Sequence, residues 1–144
     1  MHDPVYLDYN ATTPVAPEVL DAMLPWLREQ YGNPSSSHVV GQRAAQAVAT
    51  ARAQAAGLIG AHPAEIVVTG CATEANNLTL CGVAQAVPAQ CRHLVISAVE
   101  HPAVMAPALY LRQQGWDVSV LPVDSFGRVS VDDVARALRP DTAL

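Results

Sequence analysis

Lysine is absent from this 144-residue chain; all 8 basic residues are arginines. A Walker-type phosphate loop, which needs a lysine, is therefore excluded, and no GxGxxG dinucleotide fingerprint occurs either. Aromatic residues make up only 5% of the chain, with a single phenylalanine, so alanine-rich helices packed closely on a sheet must supply the core. The three cysteines, Cys71, Cys81 and Cys91, form no CxxC pair and have no nearby histidine at metal-ligand spacing. That argues against a disulfide framework and against a metal site; the five histidines are likewise dispersed. Basic charge is scarce, and a net charge of -5 speaks against a nucleic-acid surface. No apolar run approaches the roughly 20 residues of a membrane span. The start, Met1-His2-Asp3-Pro4, lacks a signal-peptide pattern, so the expected compartment is the cytoplasm.

What is present is apolar and regularly punctuated. The chain is 51% hydrophobic and 15% charged, too apolar for disorder. Residues 5–8 read as an extended arm and Asn10-Ala11-Thr12-Thr13-Pro14 as a turn. Pro17 suits a helix first turn, followed by an apolar face of Val19, Leu20, Met23, Leu24 and Leu27; Pro25 should kink or divide that helix. A loop of turn formers, residues 32–37, precedes a long helix over 40–58, with Arg43 and Arg52 facing solvent, ended by Gly57 and Gly60. Three short runs, 66–69, 93–97 and 117–121, read as strands. Helices are expected over 73–85, 103–114 and 131–138, the last capped by Ser130 with Asp132 and Asp133 in its first turn. Strands alternating with helices define an α/β fold, helices covering a mainly parallel sheet.

The most informative stretch is Ile66-Val67-Val68-Thr69-Gly70-Cys71-Ala72-Thr73-Glu74-Ala75-Asn76-Asn77-Leu78. A strand, a small-residue turn and a helix start make an anion site, because the first helical N–H groups lack intrahelical partners and the dipole favours negative charge. Gly70 and Ala72 let a phosphate approach the backbone, and the Thr73 hydroxyl can donate to it. The same residues also describe an ordinary N-cap, with Glu74 favourably placed in the first turn. His101 follows the next strand, so its loop emerges at the same sheet edge, where ligands bind in such folds. A lone loop histidine is commonly only a polar surface residue; a flat ring titrating near neutrality also suits stacking and proton transfer.

Four segments occur in order: Tyr6-Leu7-Asp8-Tyr9-Asn10-Ala11-Thr12-Thr13-Pro14, Gly32-Asn33-Pro34-Ser35-Ser36-Ser37-His38, Ala72-Thr73-Glu74-Ala75-Asn76-Asn77 and Val99-Glu100-His101-Pro102-Ala103-Val104. Together they resemble the start of a cysteine desulfurase of the nitrogen-fixation type, in the class V aminotransferase-like group of pyridoxal-phosphate enzymes. Leu121-Pro122-Val123-Asp124 adds to the likeness, which covers essentially the whole chain. The resemblance implies the large domain of the aspartate aminotransferase-like (type I) transferase fold, three-layered and truncated: residues 1–14 an N-terminal arm, residues 15–144 an incomplete portion of the cofactor-binding domain. It implies pyridoxal 5'-phosphate as cofactor, with Ala72 and Thr73 on its phosphate and His101 stacked on the pyridine ring and placed for proton transfer. Cys71 departs from the glycine many relatives carry there.

The implied activity is conversion of L-cysteine to L-alanine, with the sulfur carried as an enzyme persulfide toward a sulfur acceptor or scaffold protein for iron-sulfur cluster assembly. The implied assembly is a homodimer of the full-length enzyme. Such chemistry needs a lysine to hold the cofactor as a Schiff base, and in the family that lysine lies downstream of the region matched here. The persulfide cysteine lies downstream too. The chain is thus expected to be an N-terminal fragment, inactive alone, with 140–144 entering a strand. The alternatives are a fragment of a selenocysteine lyase or another class V enzyme, and a non-enzymatic phosphate-binding α/β domain. In the loop at 33–38, side-chain hydrogen bonds are expected to hold the backbone.

Overall fold

The computed structural model describes residues 4–144; the arm expected over 1–14 lies partly outside these, as does the segment Met1-His2-Asp3. The described residues form two compact units, one ending at Val67 and the other spanning Val68–Leu144.

The first unit is helical. Helix α1, Pro17–Arg28, starts on a proline, and Pro25 does not divide it. The ring removes one hydrogen bond, but the flanking turns keep theirs and carry the helix through. Helix α2, Val39–Ile59, ends at Gly60, whose φ of 67° is the left-handed C-cap that glycine adopts without strain. Gly57 lies inside this helix and does not terminate it. Both Arg43 and Arg52 are exposed. The loop before α2 is tied as expected: Asn33 Oδ1 accepts from Ser35 N–H at 2.9 Å, and the Asn33 carbonyl from Ser36 N–H at 3.0 Å. Gly41 packs against that loop so closely that a Cβ there would lie 2.3 Å from the Ser36 carbonyl oxygen.

Residues 66–69, expected as a strand, join no ladder among the described residues, although Ile66 has an extended backbone. β-Branched residues favour extended backbone, but a strand also needs a hydrogen-bonded neighbour, and none pairs with this segment among the described residues. Val67 and Val68 are accordingly exposed, at 67% and 65%.

The second unit contains helix α3, Ala72–Ala86; strand β1, His93–Ser97; helix α4, Pro102–Gln113; strand β2, Asp117–Leu121; and helix α5, Val131–Ala137. The two strands have the expected limits and pair in parallel, His93 opposite Asp117 and Ser97 opposite Leu121. On its other edge β1 meets the C-terminal residues: Ala143 N–H donates to the His93 carbonyl at 2.8 Å, and Val95 N–H to the Leu144 carbonyl at 2.9 Å. β1 is therefore flanked on both edges, and its residues are mostly buried.

Helices α3 and α4 pack along each other. Ala103, Pro107, Ala108 and Leu111 are the buried face of α4, and their small members let the helices approach closely. Leu80 of α3, Leu94 and Ile96 of β1, Ala108 and Leu111 of α4, and Trp116 make one core. Trp116 closes its end at 8% exposure. Ser130 stands at the N-cap of α5 but makes no side-chain cap bond, so the expected hydroxyl cap is not formed; Asp132 and Asp133 are in the first turn as read from the sequence, where they favour the dipole.

Candidate functional site

Both chemically interesting turns belong to the second unit. At the first, Cys71 is the N-cap of α3 with no side-chain cap bond. Thr69 donates its hydroxyl to the Cys71 carbonyl at 3.1 Å. The Glu74 carboxylate folds back to accept Gly70 N–H at 2.7 Å. A side chain at Gly70 would crowd that contact, since a Cβ would lie 3.2 Å from Glu74 Oε2. The first turn bond of the helix runs from Ala75 N–H to the Cys71 carbonyl. The amides of Ala72, Thr73 and Glu74 are left without partners among the described residues. Three open donors at the positive end of a 15-residue helix suit an anion.

At the second turn, β1 ends at Ser97 and α4 begins after His101. His101 is the N-cap, its Nδ1 accepting Ala103 N–H at 3.0 Å. Sequence reading gave His101 a ligand role but not this one. Two further helix starts use the same device. His38 Nδ1 accepts Gly41 N–H at 3.3 Å, and His62 Nδ1 accepts Ala64 N–H at 3.2 Å ahead of the single 3₁₀ turn Pro63–Glu65. An imidazole acceptor two or three residues before a free N–H does what a serine or asparagine cap does.

Thr73 and His101 line one cleft of about 560 Å³ between α3 and α4, together with Asn77, Cys81, Pro102 and Tyr110. Ala72, the third residue expected at the site, is the first residue of α3, next to Thr73 in the chain, and is not among the residues lining the cleft. Thr73, Asn77 and Cys81 stand four residues apart, hence on one helical face; that spacing was the available sign of the cleft wall, which sequence reading missed. Cys71 and His101 are exposed, and Cys81 is half-buried. No group of three or more metal-ligating side chains occurs among the described residues.

A further group of coupled charges lies elsewhere in the unit. Arg139 bonds both Asp117 and Asp141, and its guanidinium holds the Asp117 carboxyl below the usual carboxylate range. His93 is fully buried, with Nδ1 2.7 Å from the Thr142 hydroxyl and Nε2 2.8 Å from the Ser119 hydroxyl. Its role was invisible in the sequence, because both partners come from other segments.

Residues 5–144 match the aminotransferase class-V family, and the chain belongs to that family. The cysteine desulfurase IscS of Dictyoglomus turgidum is 46% identical over 140 residues, which are 97% of this chain and 36% of that protein. A solved NifS-like protein superposes with a TM-score of 0.89 at 39% identity, over 96% of this chain and 38% of the other. A second solved structure, described as SspA in complex with cysteine, gives a TM-score of 0.86 at 39% identity, over 95% of this chain and 40% of the other. The fold is therefore that of NifS-like cysteine desulfurases, the type I fold of pyridoxal-phosphate enzymes. The chain spans little more than a third of the length of these relatives. Members of the family use pyridoxal phosphate. The residues present fit one end of that group: open amides and a hydroxyl for the phosphate, a flat imidazole for the ring. None can supply the amine, since the chain has no lysine. No described helix is long and apolar enough to cross a membrane.

Proposed function

We propose that these residues are the phosphate-binding and ring-stacking part of a pyridoxal-phosphate-dependent cysteine desulfurase. The complete enzyme would convert L-cysteine to L-alanine and pass the sulfur, as an enzyme persulfide, to an acceptor or scaffold protein for iron-sulfur cluster assembly. The observation that carries this reading is the shared cleft of Thr73 and His101, Thr73 being also one of the three residues with open amides in the first turn of α3.

In this reading the amides of Ala72 and Thr73 and the Thr73 hydroxyl hold the phosphate. The His101 ring covers one face of the pyridine. With Nδ1 engaged by Ala103 N–H, Nε2 is the atom left to give or take a proton. When bound, the cofactor supplies the electron sink that lets a bond at the substrate's β-carbon break. The lysine has to come from polypeptide outside these 144 residues. A relative described in complex with cysteine supports cysteine as substrate. A homodimer is the proposed assembly and the cytoplasm the proposed compartment; exposed Val19, Leu20, Met23 and Leu27 on α1 give a dimer apolar surface to cover.

The test joins this chain in frame to the C-terminal remainder of the Dictyoglomus turgidum relative and assays alanine and sulfide from L-cysteine. Both products are expected only with the remainder present. A chimera that folds and takes up pyridoxal phosphate, yet releases neither product, overturns the reading.

A further inference from the structure

The turn that carries His101 is tied down more firmly than its exposure suggests. Its first residue, Ala98, donates N–H to the Leu121 carbonyl at 2.8 Å, which fixes the turn to β2. Its last residue before the histidine is Glu100. The Glu100 carboxylate accepts the Ser97 hydroxyl at 2.8 Å, so it straps the turn back onto the end of β1. Both side chains are half-buried. On the far side Pro102 restricts the backbone, and the His101 carbonyl accepts from Val104 and Met105 N–H at 2.9 and 3.1 Å. No ion pair joins Glu100 to the imidazole among the described residues. Glu100 therefore reaches His101 through the backbone, and the pair is not a carboxylate–histidine dyad.

The ring itself is fixed by one bond, Ala103 N–H to Nδ1. A backbone N–H can only donate, so Nδ1 carries no proton while this bond stands, and the neutral ring must hold its hydrogen on Nε2. The bond requires Cα of His101 and the Ala103 amide to keep their relative placement. The Ser97–Glu100 bond holds the turn on the strand side of His101.

We infer that Ser97 and Glu100 are positioning residues that lock His101 into the Nε2–H tautomer and aim Nε2 into the cleft. This rests on the cofactor-binding reading for its catalytic meaning, but the lock itself is independent of any ligand. It assigns a purpose to Glu100, which the proposed chemistry does not otherwise use.

The experiment is nuclear magnetic resonance on the full chain with ¹⁵N-labelled histidine, His101 being assigned through the spectrum of His101→Gln. The parent is expected to show His101 as one neutral tautomer, protonated at Nε2, with a protected Ala103 amide. In Ser97→Ala and Glu100→Ala the Nδ1–H tautomer should appear, and Ala103 amide exchange should quicken about fivefold, the change matching loss of a typical N-cap. Glu100→Gln should restore the parental signals, since an amide oxygen accepts the same hydroxyl. His38 and His62, capped on other turns, should not respond; if they change as well in Glu100→Ala, that variant has lost its fold and Ser97→Ala decides. A parental His101 protonated at Nδ1 would overturn the inference. So would a tautomer and an Ala103 amide that stay unchanged in Ser97→Ala. A lock that behaves as expected, in a chimera with the Dictyoglomus turgidum remainder whose His101 signals ignore added pyridoxal phosphate, would defeat the functional reading and leave the strap standing.

Discussion

His93 of β1 and Thr142 near the C-terminus are joined side chain to side chain, Nδ1 to Oγ1 at 2.7 Å. Through Nε2 the same ring reaches Ser119 of β2 at 2.8 Å. One fully buried imidazole thus stitches three segments across the sheet, and the Thr142 hydroxyl also accepts Arg139 N–H at 2.8 Å.

His93→Ala should therefore be among the most damaging single changes in the second unit. It opens a cavity, strands the Ser119 hydroxyl and leaves the Thr142 hydroxyl only its bond from Arg139 N–H, an unmet polar group costing about 1–3 kcal/mol. A loss of about 3 kcal/mol or more is expected in chemical denaturation. Thr142→Val removes one partner and keeps the shape, so it should cost about 1–3 kcal/mol. Equal, small losses for the two would disprove the stitch.

Acid should loosen the end of the sheet. The Asp117 carboxyl is held below its ordinary 3.8, first by the hydrogen bond from Arg139. A lowered folded value means the contribution is complete above the unfolded value and is lost as pH falls through the folded one. The window is thus below about pH 4. Because Asp117 is exposed, the effect is local. Amide exchange at Ala143 is expected to rise in that window for the parent and to lose that step in Asp117→Asn.

Thr73→Val should weaken binding of pyridoxal phosphate about ten- to a hundredfold. It deletes one hydroxyl donor to a charged acceptor, a bond worth about 1.5–3 kcal/mol. Titration of the chimera with cofactor measures this. An unchanged affinity would leave the phosphate to the amides alone.

Two roles of His101 can be separated by two variants. His101→Ala loses both the cap on α4, worth about 1 kcal/mol, and the ring. His101→Asn keeps a capping acceptor and loses the ring. Both should lower alanine production in the chimera far more than cofactor retention, whereas only His101→Ala should lower stability. Parental turnover in His101→Asn would remove the catalytic assignment.

Gly41→Ala should destabilise the first unit by about 1–3 kcal/mol, the range for overpacking. The new Cβ would meet the Ser36 carbonyl oxygen at 2.3 Å and the Asn33 carbonyl oxygen at 2.7 Å. Backbone cannot turn aside as a flexible side chain can. A thermal transition of the variant matching the parent would show that the loop yields.

Local signals in the sequence determined the helices, the limits of β1 and β2, and the α/β class, because periodicity, capping and turn chemistry act over a few residues. They also marked Thr73 and His101, since a small-residue turn before a helix and a histidine after a strand are short-range patterns. Missing lysine decided, with no structure needed, that these residues cannot hold the cofactor covalently. Tertiary structure decided what depends on partners distant in the chain. The run 66–69 has strand propensity but no neighbour to pair with among the described residues. His93 looked like any strand residue until Ser119 and Thr142 enclosed it. Ser130 stands at a helix start without capping it, while His38, His62 and His101 do cap, because a cap requires the acceptor to be aimed at a free N–H, and only the folded backbone sets that aim.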